Sequence, residues 1–439
     1  MILIQTAAVV SLGCPKNTVD TEIMLHQLEQ EYRIVDDFHT ADILVVNTCG
    51  FIKDAKEESI NTIFDLAQIK KGSDKILIVT GCLSQRYSED LLSDIPEINI
   101  CMGVEQYLNI LPAIRRAQKG ERFALCGRLP VALIGKRRLI TPKHTVYVKI
   151  SEGCNNACTF CAIPMIRGRY RSVPMEDVLA EMKGLVAQGA REIIFVAEDT
   201  TRYGVDLYKK PMLAELLRRA AQIPDLQRIR LHYCYPDTLT TELIDVIAAH
   251  DNICNYIDIP LQHADEDLLK SMHRRGTPAE FTDTIHYARS KGILVRTTFI
   301  VGFPGETEAQ FGRLVDFVKQ MRFDRLGVFT YSPEEGTKAA EMPNQIPEGI
   351  KEQRKDIIMT LQADIAYQNN QERIGERCDV LVERFTPDGK AEGRSYGESP
   401  DIDGLVILDK IDGIQIGGIY PIEIVGADTY DLYAEWRLA

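Results

Sequence analysis

The sequence predicts an α/β protein in three parts: an open parallel α/β domain over residues 1–125, a partial (β/α)6 barrel over 143–370, and a small β-barrel over 371–439, with a linker at 126–142. Three observations carry this reading. Apolar runs of strand length alternate with amphipathic helical stretches as far as residue 370, the pattern of parallel sheets covered by helices. Beyond it the pattern changes to short strands separated by Gly- and Asp-rich turns. A chain of 439 residues is long enough for about three cores.

In the first part, "AAVVSLGC", "ADILVVNTC" and "KILIVTGC" each run from apolar residues through small or polar ones to a cysteine: Cys14, Cys49 and Cys82. The helical stretches "TVDTEIMLHQLEQ", "IKDAKEESINTIFDLAQIKKG" and "QRYSEDLLSDI" follow them in turn. Strands of a parallel sheet point one way, so the three cysteines fall along one edge, where open α/β sheets bind ligands. Any one of them alone reads as a packed thiol, since free Cys is among the most buried residues. The threefold repetition reads as a ligand set. Zinc is a rival occupant, but it needs a fourth ligand, which only His26 or His39 offers.

The second part opens with the alternating run "TVYVKI", followed by "SEGCNNACTFCAIPMIRGR", which spaces Cys154, Cys158 and Cys161 as C-x3-C-x2-C. Three soft thiolates this close suit zinc or an iron-sulfur cluster. Zinc again lacks a fourth ligand, because His144 lies ten residues upstream, in or before a strand. Three cysteines can instead hold three irons of a cubane and leave the fourth open to a small molecule. The bland alternative is a tight turn carrying three packed cysteines. Five further strand-like runs follow: "EIIFVAED", "RIRLHYCYP", "YIDIPLQH", "ILVRTTFIVGFPGE" and "RLGVFTYSP". Between them lie segments such as "VPMEDVLAEMKGLVAQG", with a Pro near its start and Gly189 after its last periodic residue. The second strand ends at Glu198, Asp199 and Thr200, and the fifth at Gly302, Gly305 and Glu306. These positions either line a ligand site at the C-terminal edge or serve as turn chemistry. Arg296, on the fifth strand, faces either a bound carboxylate or an internal acid.

Composition narrows the function. The net charge of −13 argues against a protein held to nucleic acid mainly by counterion release. Eleven cysteines, an odd number in a long chain whose N-terminus "MILIQTAAVVSLGC" lacks a basic signal region, favour metal ligation or catalysis over disulfides. No apolar run approaches the roughly 18 residues of a membrane span, and a cytoplasmic location is expected. Cys101, Cys126, Cys234, Cys254 and Cys378 have no partner spacing and read as core or incidental thiols. The segment from Cys126 to Lys143, with "GKRR", reads as a linker, either a solvated turn or part of a substrate path.

The spacing of Cys154, Cys158 and Cys161, with Phe160 directly before the last, resembles the radical S-adenosylmethionine superfamily. The whole chain resembles the methylthiotransferase family within it, whose C-terminal module is the TRAM domain. The resemblance implies two [4Fe-4S] clusters, an auxiliary one on Cys14, Cys49 and Cys82 and a radical one on Cys154, Cys158 and Cys161. It also implies S-adenosyl-L-methionine on the open iron of the radical cluster, contacted by Phe160, Glu198, Asp199, Thr200, Arg296, Gly302, Gly305 and Glu306. No further catalytic residue is assigned. The implied reaction is sulfur insertion into an unactivated C–H bond with methyl transfer, driven by an electron donor such as flavodoxin or ferredoxin.

The family divides by substrate, into enzymes of tRNA adenosine and enzymes of an aspartate β-carbon in the twelfth protein of the small ribosomal subunit. Pro15, Lys16 and Asn17 after Cys14, and "YSPEEGTKAA" at 331–340, resemble the ribosomal-protein branch; the tRNA branch more often has Gln and Met after the cysteine. The region 371–439 holds 15 acidic and 7 basic residues, which opposes phosphate binding and suits a basic ribosomal protein, free or in the assembled subunit. An acidic surface without a partner is the plainer explanation. A zinc-stabilised, non-catalytic RNA- or ribosome-binding protein is a third reading.

Overall fold

The computed structural model describes residues 5–129 and 134–437, so four positions of the expected linker lie outside the described residues. The first part is a six-stranded parallel sheet in the order Arg33–Ile34, Thr6–Ser11, Ile43–Thr48, Ile76–Gly81, Ile98–Met102, Phe123–Leu125. Successive strand residues point to opposite faces. Ala7, Ile43, Val45 and Ile78 pack on one side with Val19 and Ile23 of helix Pro15–Leu28. Ala8, Leu44, Val46 and Leu77 pack on the other with Ile63 and Leu66 of helix Lys53–Lys70. Cys101 lies inside that second core, a packed thiol as read.

The second part is a six-stranded parallel sheet in sequential order: Thr145–Lys149, Glu192–Val196, Arg228–Leu231, Ile253–Gln262, Leu294–Val301 and Arg325–Thr330. The segment with Gly189 forms helix Met175–Ala187, and Gly189 takes φ +111 just past its end. Helices Pro278–Ser290 and Glu308–Met321 start with capping boxes on Thr277 and Thr307. Val148, Phe195, Leu231, Ile257 and Val295 face this helical layer and form the largest core.

The inner face of the open barrel is covered from both flanks. Tyr147, Ile194 and Val196 join the core of the N-terminal domain. Lower down, the inner face is polar and meets the C-terminal domain, a closed five-stranded barrel of Arg377–Phe385, Lys390–Arg394, Val406–Asp409, Ile419–Ala427 and Leu432–Trp436. Glu192, at the start of its strand, pairs with Arg394 at 2.5 Å and Arg230 at 2.9 Å, all three buried. The segment after Arg394 runs along the lumen: Arg230 donates to the Tyr396 carbonyl, His232 Nε2 lies 2.6 Å from Ser399 Oγ, and Tyr256 donates to Asp403 at 2.7 Å. Among the described residues no helix is long and apolar enough to cross a membrane.

Candidate metal centres and active site

The N-terminal sheet changes direction of growth between strands Thr6–Ser11 and Ile43–Thr48, a topological switch point whose C-terminal crevice is where such sheets take ligands. Cys14 follows the first of these strands, Cys49 the second, and Cys82 opens helix Cys82–Asp94 after strand Ile76–Gly81. The turns are laced together. Asn17 Nδ2 donates to the Leu12 and Thr48 carbonyls, and the Cys49 amide donates to Ser59 Oγ. Gly13, at φ +90, sits so close that a Cβ there would meet Cys49 Cβ at 2.9 Å. The thiols act on one another electrostatically, Cys14 on Cys49 and Cys82, and Cys49 on Cys82. Burial pushes the Cys49 thiol up and the Cys82 thiol up to about 12, with Arg167 pulling against it. Buried neutral thiols beside one another become ligands once a metal takes the proton's place.

The second trio is made by one loop. The Cys154 amide donates to the Gly168 carbonyl and the Cys161 amide to the Cys158 carbonyl, which folds the loop back on itself. Cys154 Sγ accepts from the Asn156 amide at 3.4 Å, and Cys158 Sγ lies 3.2 Å from Tyr235 Oη. Burial pushes Cys154 up to about 11 and Cys161 higher, and both feel Cys158. Phe160 packs half-buried against Leu268, Met272, Phe303 and Tyr331.

Among the described residues no three His, Cys, Asp or Glu side chains could hold a metal ion together. By ligand count three cysteines suit a cubane, which takes them on three separate irons, whereas a structural zinc wants four ligands. The suggested zinc completions, His26 and His39, lie far from the cysteines: His26 is in the last turn of helix Pro15–Leu28, whose N-cap is Cys14, and His39 is exposed before strand Ile43–Thr48. His144, already ill-placed in the sequence, is buried before strand Thr145–Lys149, at the strand end opposite the second trio.

Between the trios lies a buried ionic chain. Lys16 Nζ is 3.2 Å from Glu198 Oε2 and 4.3 Å from the centre of the Tyr233 ring; burial pulls its ammonium down, but Glu198 and Cys14 hold it charged, above the ordinary lysine value. Glu198 acts electrostatically on Cys82 on one side and on Cys154 and Cys161 on the other. Its Oε1 is buried without a hydrogen-bond partner among the described residues, 3.7 Å from Arg167 Nε. Arg167, Asp20, Glu152 and Lys149 extend the chain, with Lys149 reaching Asp20 at 2.5 Å and Glu152 at 2.6 Å.

The other strand-end residues sit at the same edge in different roles. Asp199 accepts from Asn156 at 2.8 Å, Thr201 at 2.7 Å and Arg202 at 3.1 Å, which ties the cysteine loop to the second strand. Thr200 Oγ1 bonds the His232 carbonyl. Glu306 accepts from the Gly302 amide and pairs with Arg354 at 2.8 Å and His263 at 3.1 Å, bracing the turn that holds Gly302 and Gly305. Arg296 takes the internal-acid role, 2.8 Å from Asp258 and 3.6 Å from Asp403. In the expected linker, Arg137 is buried between Glu22 and Glu181 rather than solvated. The sequence reading missed Arg167 and Tyr235 altogether and saw Lys16 only as a branch signature; their one local signal is nearness to a cysteine motif or a strand end.

Comparison with known proteins bears on the whole chain. Residues 6–103 match the uncharacterized protein family UPF0004, 148–318 the radical SAM superfamily and 374–436 the TRAM domain. The ribosomal protein uS12 methylthiotransferase RimO of Desulforamulus reducens is 50% identical over 434 residues, covering 97% of this chain and 98% of that protein. The RimO of Desulfitobacterium hafniense is 44% identical, covering 98% of each. Among solved structures, the radical S-adenosylmethionine methyltransferase TsrM from Kitasatospora setae, with cobalamin and a [4Fe-4S] cluster bound, shares the fold with a TM-score of 0.57 at 15% identity, over 94% of this chain and 84% of that one. With two cysteine trios at strand ends, a TRAM-type barrel and relatives of this closeness along its length, the chain belongs to the RimO family of ribosomal protein uS12 methylthiotransferases, which are radical S-adenosylmethionine enzymes.

Proposed function

We propose that this protein adds a methylthio group to the β-carbon of an aspartate in ribosomal protein uS12, using two [4Fe-4S] clusters and S-adenosyl-L-methionine. The observation that carries the proposal is the meeting of two separate cysteine trios at the C-terminal edges of two parallel sheets, joined by the buried Lys16–Glu198–Arg167 chain. Cys154, Cys158 and Cys161 would hold the radical cluster and Cys14, Cys49 and Cys82 the auxiliary one, each leaving an iron for an outside ligand. When bound, these groups supply a carbon-centred oxidant for hydrogen abstraction and the sulfur that replaces the hydrogen.

The protein's own residues orient and enclose. Glu198 Oε1, buried and without a hydrogen-bond donor, is the acceptor available to the cationic end of the cofactor. Asp199 holds the cysteine loop against the second strand, and Glu306 holds the Gly302–Gly305 turn in place; Phe160 and Thr200 close the same edge. Lys56 and Arg86 of the N-terminal domain both reach Glu334 at 2.9 Å, which clasps the two domains beside Gly50. On the C-terminal barrel Asp388, Asp401, Asp409, Asp412, Asp428 and Glu435 are exposed, a surface suited to a basic protein. The site of action is the cytoplasm, with a flavodoxin or ferredoxin as reductant.

The test is anaerobic reconstitution with iron and sulfide analysis, then incubation with a uS12 peptide and, separately, with tRNA. About eight irons per chain and a methylthio mass gain on the peptide aspartate are expected. Stoichiometric zinc without iron, or a gain on tRNA alone, contradicts the proposal.

A further inference from the structure

Arg167 ends the short helix Ile163–Arg167, which starts two residues after Cys161, so it belongs to the loop of the local trio. Its side chain leaves that site and crosses to the other. Nη2 lies 3.7 Å from Cys82 Sγ and 2.7 Å from Asn17 Oδ1, while Nη1 holds Glu152 at 2.9 Å and Asp20 at 3.3 Å. Arg167 is among the largest fully buried side chains of the described residues. Both Nη atoms of the guanidinium are hydrogen-bonded, and Nε faces Glu198 Oε1 at 3.7 Å, an ion-pair distance beyond hydrogen-bond reach. Glu152 and Glu198 lie against its other nitrogens, Asp20 Oδ2 also reaches Nη2 at 3.3 Å, and Nη2 is the guanidinium nitrogen that meets Cys82. It also acts electrostatically on Cys49.

Hydrogen bonds and positive charge at the sulfur ligands of an iron-sulfur cluster stabilise its electron-rich state and raise its potential. We propose that Arg167 is a positioning residue that sets the reduction potential of the auxiliary centre on Cys14, Cys49 and Cys82: the loop that carries one cluster tunes the other through a single buried donor to Cys82. This rests on the reading of that trio as an iron-sulfur site. It also ties the auxiliary centre to the docking of the domains, because the guanidinium that reaches Cys82 comes from the second domain.

The experiment uses the full-length chain with Cys154, Cys158 and Cys161 replaced by Ala, so that only the auxiliary centre is loaded, and follows reduction by electron paramagnetic resonance. About four irons per chain with Arg167 present establishes the centre itself; their absence overturns the cluster reading and the proposal with it, whereas a loaded centre whose potential ignores Arg167 overturns the proposal alone. Arg167→Gln, at equal iron content, is expected to disfavour the reduced state at least tenfold, a fall in midpoint potential of about 59 mV for one electron. Arg167→Lys keeps the charge but has one nitrogen for the five partners of the guanidinium, and is expected to move the potential in the same direction by less, with an altered signal. If Arg167→Gln loses iron because Asp20 and Glu152 keep only Lys149 as a cationic partner, Arg167→Lys decides alone. An unchanged potential and signal in Arg167→Lys, or in both variants, overturns the proposal.

Discussion

The two cysteine trios do related work but are built by opposite means. Cys154, Cys158 and Cys161 sit in one loop whose own amide hydrogen bonds shape it, with Asp199 tying it to the second strand. Cys14, Cys49 and Cys82 come from three strand ends and meet only when the sheet has formed in its particular order. A local site is written in spacing; a distributed one is written in topology and in the turns that lace it. The distributed trio should therefore be the more sensitive to changes that strain the fold.

The largest such effect is expected from Glu192→Ala, which leaves Arg230 and Arg394 buried beside each other without their shared carboxylate. Breaking a buried ion pair by removing one partner costs about 3–5 kcal/mol. A urea titration should show that loss, and in mild urea iron should leave the distributed site before the local one. Simultaneous release would erase the distinction between them.

Gly50→Ala probes the distributed site directly. A Cβ at Gly50 would lie 2.7 Å from the Leu83 amide nitrogen, backbone that cannot step aside. The expected cost is about 1–3 kcal/mol, as for other overpacked sites, and iron per chain should fall while reductive cleavage of S-adenosylmethionine persists. Full iron content would mean that the turns tolerate more movement than their packing implies.

The smallest effect concerns the polar lumen where the barrel meets the C-terminal domain. Burial pushes His232 down to about 3 inside the lumen, where it meets Ser399. Its folded value lies below the unfolded one, near 6.5, so the unfolded chain takes up the proton first as pH falls. The stabilisation is whole above about pH 6.5 and is lost by up to about 1.4 kcal/mol per pH unit below it. Denaturation at pH 7 and 5.5 should show this slope, and His232→Asn should flatten it.

Much of the architecture was legible because strands and helices announce themselves by period. The six strands of the barrel, the Cys-terminated strands of the first sheet and the turn-rich C-terminal strands all stand where the patterns put them. The short strands Arg33–Ile34, Ile98–Met102 and Phe123–Leu125 were missed; they are too brief or too mixed to show alternation. The switch point was invisible, since strand order depends on how chain segments pack and not on what each contains. Arg167 and Lys16 escaped for the same reason: their partners lie 85 and 182 positions away in the chain. The acid count of the C-terminal domain also overstated its surface charge, because Glu398 is buried and Asp403 faces Arg296 and Tyr256.

The central claim, that two trios hold two clusters with separate tasks, is tested most directly by Cys49→Ala in the full-length protein, with iron and the cleavage of S-adenosylmethionine measured on one sample. The account predicts a fall from about eight irons per chain to about four, with cleavage retained and methylthio transfer lost. Loss of cleavage together with the iron, or full iron with methylthio transfer intact, would contradict it.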